Sequence, residues 1–294
     1  MTFLESGIII VDKPYQWTSN DVIRKIKSKN KFKKIGHAGT LDPLATGILP
    51  ILINDSTKYF DYFQHFKKSY LAEIKFGIST KSYDLEGEID GETENMPENI
   101  EKIEETLCHF LGLIKQFPPK YSALKKHGKR LYEYARNDEE IEIESREVEV
   151  SEIKIISWET PVLKLIISCS SGFYVRSFAN DLAKKLDTLG VLISLSRINY
   201  GPFVIKDSIN IQNINELEKK LISVDSIFFD NKKLVFDNES EQLYFNGTVF
   251  SSENLNLSLL KEEEIKIYNI NDKFIGLLTF DESKNFWKPK NIIR

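Results

Sequence analysis

The chain has 294 residues and a net charge of −4, with 41% apolar and 29% charged residues, ordinary proportions that exclude collagen-like, mucin-like and wholly disordered classes. Its longest apolar run, Ile48 to Ile53, falls far short of the ~20 residues a bilayer span needs, and no basic region precedes the short apolar stretch Gly7 to Val11, which argues against a cleaved signal peptide. A cytoplasmic protein is expected, with two domains or one large domain and an appendage.

The charge is unevenly spread. Residues 1–81 hold 13 Lys+Arg against 7 Asp+Glu, and the remainder 27 against 37, so an acidic chain keeps a basic region where phosphate could bind. Gly7 to Val11 reads as a buried strand. Thr18 and Asp21 form a T-x-x-D capping box that starts a helix carrying Val22, Ile23 and Ile26. This helix runs into Arg24 to Lys34, where seven of eleven residues are basic. Such a run is usually a solvated face, with phosphate contact the rarer use.

The polar loop GHAGTLDPLATG, Gly36 to Gly47, lies between that basic stretch and the apolar strand Ile48 to Ile53, which marks it as a candidate site. Tyr70 to Phe76 alternates as a strand. Residues 84–105 carry ten acids and one lysine, a solvated run expected to face away from any phosphate. After Pro97 a helix is expected with Ile100, Ile103, Leu107, Phe110, Leu111 and Ile114 on its apolar face. Residues 120–136 mix six Lys+Arg with Tyr121, Tyr132 and Tyr134, a composition suited to nucleic-acid backbone and bases. Val162 to Cys169 reads as a core strand, followed by a helix with Val175, Phe178, Ala179, Leu182, Leu186 and Leu189 on one face and Gly190 as its C-cap. Leu192 to Ile198 is a short apolar run. A helix near Ile214 to Ile222 leads to a boundary in Asp225 to Asp237. Short β-type runs follow at Leu257 to Leu260, Ile265 to Ile270 and Phe274 to Phe280.

Several chemistries lack their residues. There is no P-loop, H-E-x-x-H or G-x-S-x-G sequence, and His37, His65, His109 and His127 are too scattered for a metal cluster. Cys108 and Cys169 form no CxxC pair and are expected to be buried small hydrophobes. What remains is Asp42 and His37 in one polar loop. An Asp before Pro is most often a turn residue, and a lone histidine is most often structural.

The loop as a whole is more specific. The segments GIIIVDKP (7–14), TSND (18–21), GHAGTLDPLATGILP (36–50), YSALK (121–125), GKRLYEYAR (128–136) and CSSGFYVRSFANDLAKKL (169–186) together resemble the bacterial TruB family of tRNA pseudouridine synthases, over nearly the whole chain. The resemblance implies an α+β fold, a mixed and mainly antiparallel sheet flanked by helices, with a small β-rich PUA-like C-terminal module. It implies a catalytic domain over 1–225, including an RNA-clasping segment near 120–146, and an RNA-binding module over 226–294.

By the same matching, Asp42 is the catalytic aspartate and Arg176 the arginine paired with it. Tyr70 is both catalytic and substrate-contacting, through the shorter match KKSY (67–70), while His37, Tyr174 and Leu195 contact substrate, the last through LISLSRI (192–198). Lys125, Lys126, Lys129 and Arg130 are candidates for RNA backbone contact. The implied reaction turns the T-loop uridine at tRNA position 55 into pseudouridine. The N1–C1′ bond breaks and a C5–C1′ bond forms, so neither cofactor nor metal is needed. A carboxylate nucleophile can add to the sugar or to the base, and the target must be flipped out of its loop. Tyr70 can stack on uracil or remove the C5 proton. The expected partner is the T-arm of tRNA, with no membrane, no obligate protein partner and a monomeric chain. Two alternatives stand beside it: a T-loop folding chaperone with secondary catalysis, and a dyskerin-like ribosomal RNA pseudouridine synthase.

Overall fold

The computed structural model describes residues 5–29, 31–122, 124–137, 139–255 and 264–294. Strand β1 (Gly7–Lys13) precedes α1 (Ser19–Lys27), β2 (Ile35–His37) and β3 (Ala45–Ile53). A 3-10 turn, Asn54–Tyr59, then leads into α2 (Phe60–Phe63) and β4 (Lys68–Phe76). The ribbon β5 (Ile78–Thr80) and β6 (Ile89–Glu92) is followed by α3 (Ile100–Cys108), β7 (Gly112–Gln116) and a small hairpin, β8 (Lys125–Lys126) with β9 (Lys129–Arg130). Next come α4 (Leu131–Arg136), β10 (Arg146–Glu159), β11 (Val162–Cys169), α5 (Val175–Lys185), β12 (Gly190–Tyr200), β13 (Phe203–Val204) and β14 (Ile209–Asn210). The last part holds β15 (Lys233–Val235), α6 (Asn238–Phe245), β16 (Glu264–Tyr268), β17 (Phe274–Asp281) and β18 (Phe286–Lys290).

The main sheet runs β14-β1-β3-β12-β4-β11-β10-β7, with β13 and β2 attached to β12 and β3. All of its pairings are antiparallel except β1 with β14 and β3 with β12. This is the expected α+β architecture, and the C-terminal strands form a second, four-stranded sheet, β15-β16-β17-β18.

The apolar pattern explains the layering. In β1, Ile9 and Val11 join a core under α1, α3 and α5, while Ile8 and Ile10 face the other side. There Ile8, Ile10, Ile48 and Leu52 pack with Tyr59, Phe63, Tyr268, Phe274 and Ile293. A strand covered on both faces reads as one continuous apolar run. Its outer half docks the C-terminal sheet, which has a further core of its own around Trp287, Tyr244 and Phe236. Strand β4 alternates buried and partly buried positions throughout, as a strand beneath one helical layer should.

Several boundaries differ from the sequence expectation. The helix beginning at Ile100 ends at Cys108, because Gly112 takes a left-handed backbone (φ +82) and the chain leaves as β7; Phe110, Leu111 and Ile114 are therefore outside it. The helix beginning at Val175 ends at Lys185, where Asp187 adopts φ 54, so Gly190 opens β12 instead of capping the helix. The stretch expected as a helix near 214–222 is 3-10 over Ile211–Lys220. The fourteen-residue β10 was not anticipated. Cys169 is buried as expected, but Cys108 is exposed at the end of α3. The run Leu257 to Leu260 lies outside the described residues. Among those described, no helix is long and apolar enough to cross a membrane.

The capping box of α1 is present, with Thr18 Oγ1 accepting from the Asp21 amide and Asp21 accepting from the Thr18 amide. Farther on, buried Gly47 (φ +95) lets β3 approach β12 so closely that a Cβ there would lie 2.3 Å from the Arg197 carbonyl oxygen. A Gly47→Ala variant should lose at least ~2 kcal/mol, from backbone strain and steric clash together. Urea denaturation reads this as a lowered midpoint; an unchanged midpoint would mean that the two strands separate at no cost.

Candidate active site

The loop after β2 is held from below by Lys13, the last residue of β1. Its ammonium donates to the carbonyls of Pro14 (2.9 Å), Pro43 (3.3 Å) and Trp17. Burial lowers its pKa to about 8, although the carboxylates of Asp42 and Glu86 favour the charged form. Ser19 adds a second tie, accepting from the Leu41 amide at 2.9 Å. Asp42 itself closes a turn, its carbonyl accepting from Ala45 N at 3.0 Å. Its side chain is 37% exposed, so the carboxylate reaches solvent while its backbone is fixed.

Arg176 approaches from the first turn of α5. The chain enters that helix through Gly172 (φ +88) and Tyr174, whose backbone is clamped at both polar groups by the Gln116 amide (3.0 and 2.8 Å). The guanidinium, with its side chain 5% exposed, donates from Nε to Asp42 Oδ2 (2.9 Å), from Nη1 to Ser82 O (3.1 Å) and from Nη2 to Tyr121 O (3.0 Å). Asp84 Oδ2 lies 3.4 Å from the same Nε, its side chain 2% exposed. Asp84 in turn accepts from Ser82 Oγ (2.6 Å) and the Glu86 amide (3.1 Å). The acidic run was expected to face outward, yet its first member turns inward as a counterion to Arg176. A buried guanidinium needs such a partner.

Tyr70 on β4 and Leu195 on β12 come from adjacent strands, where Tyr70 pairs with Arg197 and Ala72 with Leu195. Both side chains are almost completely buried. Arg197 donates from Nε to Ile48 O (2.7 Å) and from Nη2 to Gly39 O (3.1 Å), and its guanidinium lies 4.8 Å from the Tyr200 ring centroid. Lys68 Nζ also lies over that ring, 4.5 Å from the centroid, and bonds Ser171 Oγ. Burial lowers the Lys68 pKa to about 8 and raises that of the Tyr70 phenol, which Arg197 opposes by charge and hydrogen bonding. His37 is shifted towards the neutral form by burial and by Arg197. Burial also raises the Tyr174 phenol.

These groups share one cleft of about 390 Å³, lined by His37, Asp42, Tyr70, Tyr174, Arg176 and Leu195. All six residues singled out in the sequence are thus brought together. Lys125, Lys126, Lys129 and Arg130 stand apart on the β8–β9 hairpin, although Ser122 and Leu124 at its base line the cleft. Lys126 lies 3.5 Å from Glu144, and Lys129 lies 2.6 Å from Glu139 and over the Tyr134 ring. Arg130 sits over Tyr132, and Lys125 is exposed. A larger cavity of about 950 Å³ occurs at the other end of β1 and β3, against the C-terminal sheet. Its charges are largely engaged in the pairs Lys58–Asp55, Lys233–Asp272 and Lys273–Glu5, and it contains none of the six site residues.

Sequence reasoning missed Lys13, Asp84, Gln116 and Arg197. Lys13 and Arg197 stand inside quoted segments, GIIIVDKP and LISLSRI, which was their only signal. Asp84 was hidden in an acidic run, and Gln116 in a stretch without a motif.

Residues 27–175 match the family model described as the N-terminal domain of TruB family pseudouridylate synthase. A tRNA pseudouridine synthase B of Clostridium kluyveri is 37% identical over 92% of this chain and 94% of its own length. That of Mesoplasma florum is 43% identical over 72% and 74%. Among solved structures, a Cbf5-Nop10-Gar1 complex aligns with TM-score 0.69 at 21% identity, covering 93% of this chain and 78% of that one. An H/ACA RNP bound to a substrate RNA containing 2′-deoxyuridine aligns with TM-score 0.68 at 19% identity, covering 98% and 82%. These two likenesses concern the fold.

The buried ion pair supplies a test independent of activity. Arg176→Met leaves Asp84 charged and without its counterion, and should cost roughly 3–5 kcal/mol in chemical denaturation. Removing both charges, in Arg176→Met/Asp84→Leu, should recover part of that loss. A double variant no more stable than the single one would show that Asp84 does not depend on Arg176.

Proposed function

The chain belongs to the TruB family of pseudouridylate synthases, and from that premise we propose that it converts the T-loop uridine at tRNA position 55 to pseudouridine, with Asp42 as nucleophile. The observation that carries this reading is the Asp42 carboxylate itself. Arg176 binds Oδ2, while among the described residues Oδ1 has no hydrogen-bond partner and the side chain is 37% exposed. One oxygen is fixed and the other is free to attack, as a positioned nucleophile requires. The relatives named tRNA pseudouridine synthase B support tRNA as substrate.

In this reaction the target base leaves its stack and enters the cleft. Asp42 adds covalently to the nucleoside, the N1–C1′ bond breaks, the base turns, C5 bonds to C1′, and the bond to Asp42 breaks to return the free carboxylate. The C5 proton is lost and N1 gains one, so the product is an isomer and the chemistry balances without redox change. Arg176 holds the carboxylate in line, and Tyr174 and Leu195 supply apolar walls that retain the detached base. His37, neutral and half-buried, fills space vacated by the flipped nucleotide. Because burial raises the Tyr70 phenol, its hydroxyl acts as a neutral relay for the C5 proton, with Arg197 easing the developing negative charge.

Catalysis is assigned to residues 1–225 and additional RNA contact to 226–294 and to the lysines of the 120–146 segment. The proposed enzyme is a monomer acting in the cytoplasm without an obligate protein partner.

Asp42→Asn keeps the shape and loses the nucleophile; we expect no pseudouridine by site-specific mapping on an unmodified tRNA transcript, with tRNA affinity retained. Turnover within about tenfold of wild type, a difference of only ~1.4 kcal/mol in barrier, would remove Asp42 from that role. Tyr70→Phe preserves the ring alone. Its single-turnover rate should fall ~10²-fold or more if the hydroxyl relays the proton, with Tyr70→Leu falling further. Equal rates for Tyr70→Phe and wild type would leave stacking as the only contribution.

A further inference from the structure

The cleft has one wall that the chemistry above does not use. It is formed by α2, whose Phe63, with Tyr59 at the N-cap, packs into the core shared with the C-terminal sheet. On the adjoining face of this turn lie Phe60 and, four residues on, Gln64; both line the cleft. Positions four apart on helical backbone share a face, and Gln64 continues the helical conformation as the C-cap.

Phe60 is 41% exposed. Isolated exposed apolar side chains are normal on protein surfaces, but this one is set apart by position. Of the large apolar side chains exposed among the described residues, Phe60 alone lines the cleft that holds Asp42. Its ring stacks on no other described aromatic ring, and the Gln64 side-chain amide has no hydrogen-bond partner among the described groups. An unpacked aromatic face thus stands beside an uncommitted donor and acceptor.

We propose that Phe60 and Gln64 form a second nucleobase subsite, in which a base flanking the extruded uridine stacks on the Phe60 ring while the Gln64 amide bonds the edge of that base. The inference rests on the function proposed above, since extruding one uridine unstacks its neighbours. Unstacked bases in RNA loops are bound by aromatic faces and by hydrogen bonds to their exposed edges. The mainly apolar platform gives affinity, and the amide gives preference among bases at that position. The subsite is separate from the walls formed by Tyr70, Tyr174 and Leu195, which enclose the reacting base.

The test is a binding cycle with T-arm RNAs, either intact or carrying one abasic nucleotide at each position flanking the target in turn. Phe60→Ala should weaken binding of the intact RNA by about 5- to 150-fold, whereas Phe60→Tyr should stay within about twofold of wild type. With the matching base removed, wild type should bind as weakly as Phe60→Ala, and the variant should lose nothing more. Gln64→Leu should alter the preference among the four bases at that same position. Phe60→Ala binding intact RNA within twofold of wild type, or losing the same factor on every abasic RNA, would overturn the proposal. Product mapping with wild type is scored separately: absence of pseudouridine would overturn the proposed reaction, while the binding cycle still decides the subsite.

Discussion

The Arg176 guanidinium is the interaction on which the site depends. A charge with so little solvent contact must satisfy its donors within the protein, and this one does so with Asp42, Ser82, Asp84 and Tyr121. These residues belong to the loop after β2, the turn after β5 and the approach to the β8–β9 hairpin, while Arg176 itself sits on α5. One buried cation therefore draws four separate parts of the chain to one point. Satisfying that cation also orients the Asp42 carboxylate, on a loop that Lys13 and Ser19 hold in place.

A second set of cations shapes the opposite side of the cleft. Lys68 and Arg197 flank the Tyr200 ring, near Tyr70, and no carboxylate pairs with either in the described structure. The chain is acidic overall, but attraction for phosphate follows local potential, which buried low-dielectric walls strengthen. The β8–β9 hairpin is different. There Lys126 and Lys129 meet Glu144 and Glu139 at the surface, and such pairs are worth little. An incoming phosphate can replace those carboxylates at small cost.

The second core ties the C-terminal sheet to this arrangement mechanically. Ile8 and Ile10 carry it on the reverse of the strand that ends in Lys13, and Lys13 supports the loop bearing Asp42. Phe63 extends the same core beneath α2, which anchors that turn while Phe60 beside it lines the cleft. Packing on one side of the sheet thereby fixes what is offered on the other.

Much of this was legible in the sequence where physics is local. The apolar run of β1, the alternation of β4 and the T-x-x-D box before α1 each depend on neighbours within a few residues, and each formed where expected. Asp42, Arg176, Tyr70, Tyr174, His37 and Leu195 stand in sequence segments that mark them without any knowledge of the contacts between them. The tertiary structure alone decided what depends on distant charges and on crowding. Asp84 reads as one acid in a solvated run until Arg176, far along the chain, gives it a counterion. Lys13 and Arg197 read as ordinary charged residues until carbonyls from other segments surround them. Exposed Cys108 and the early ends of the helices at Cys108 and Lys185 reflect left-handed residues and strand pairing that apolar spacing does not encode. Local pattern carries hydrophobic periodicity, but a buried charge is tolerated only through partners that folding brings from elsewhere.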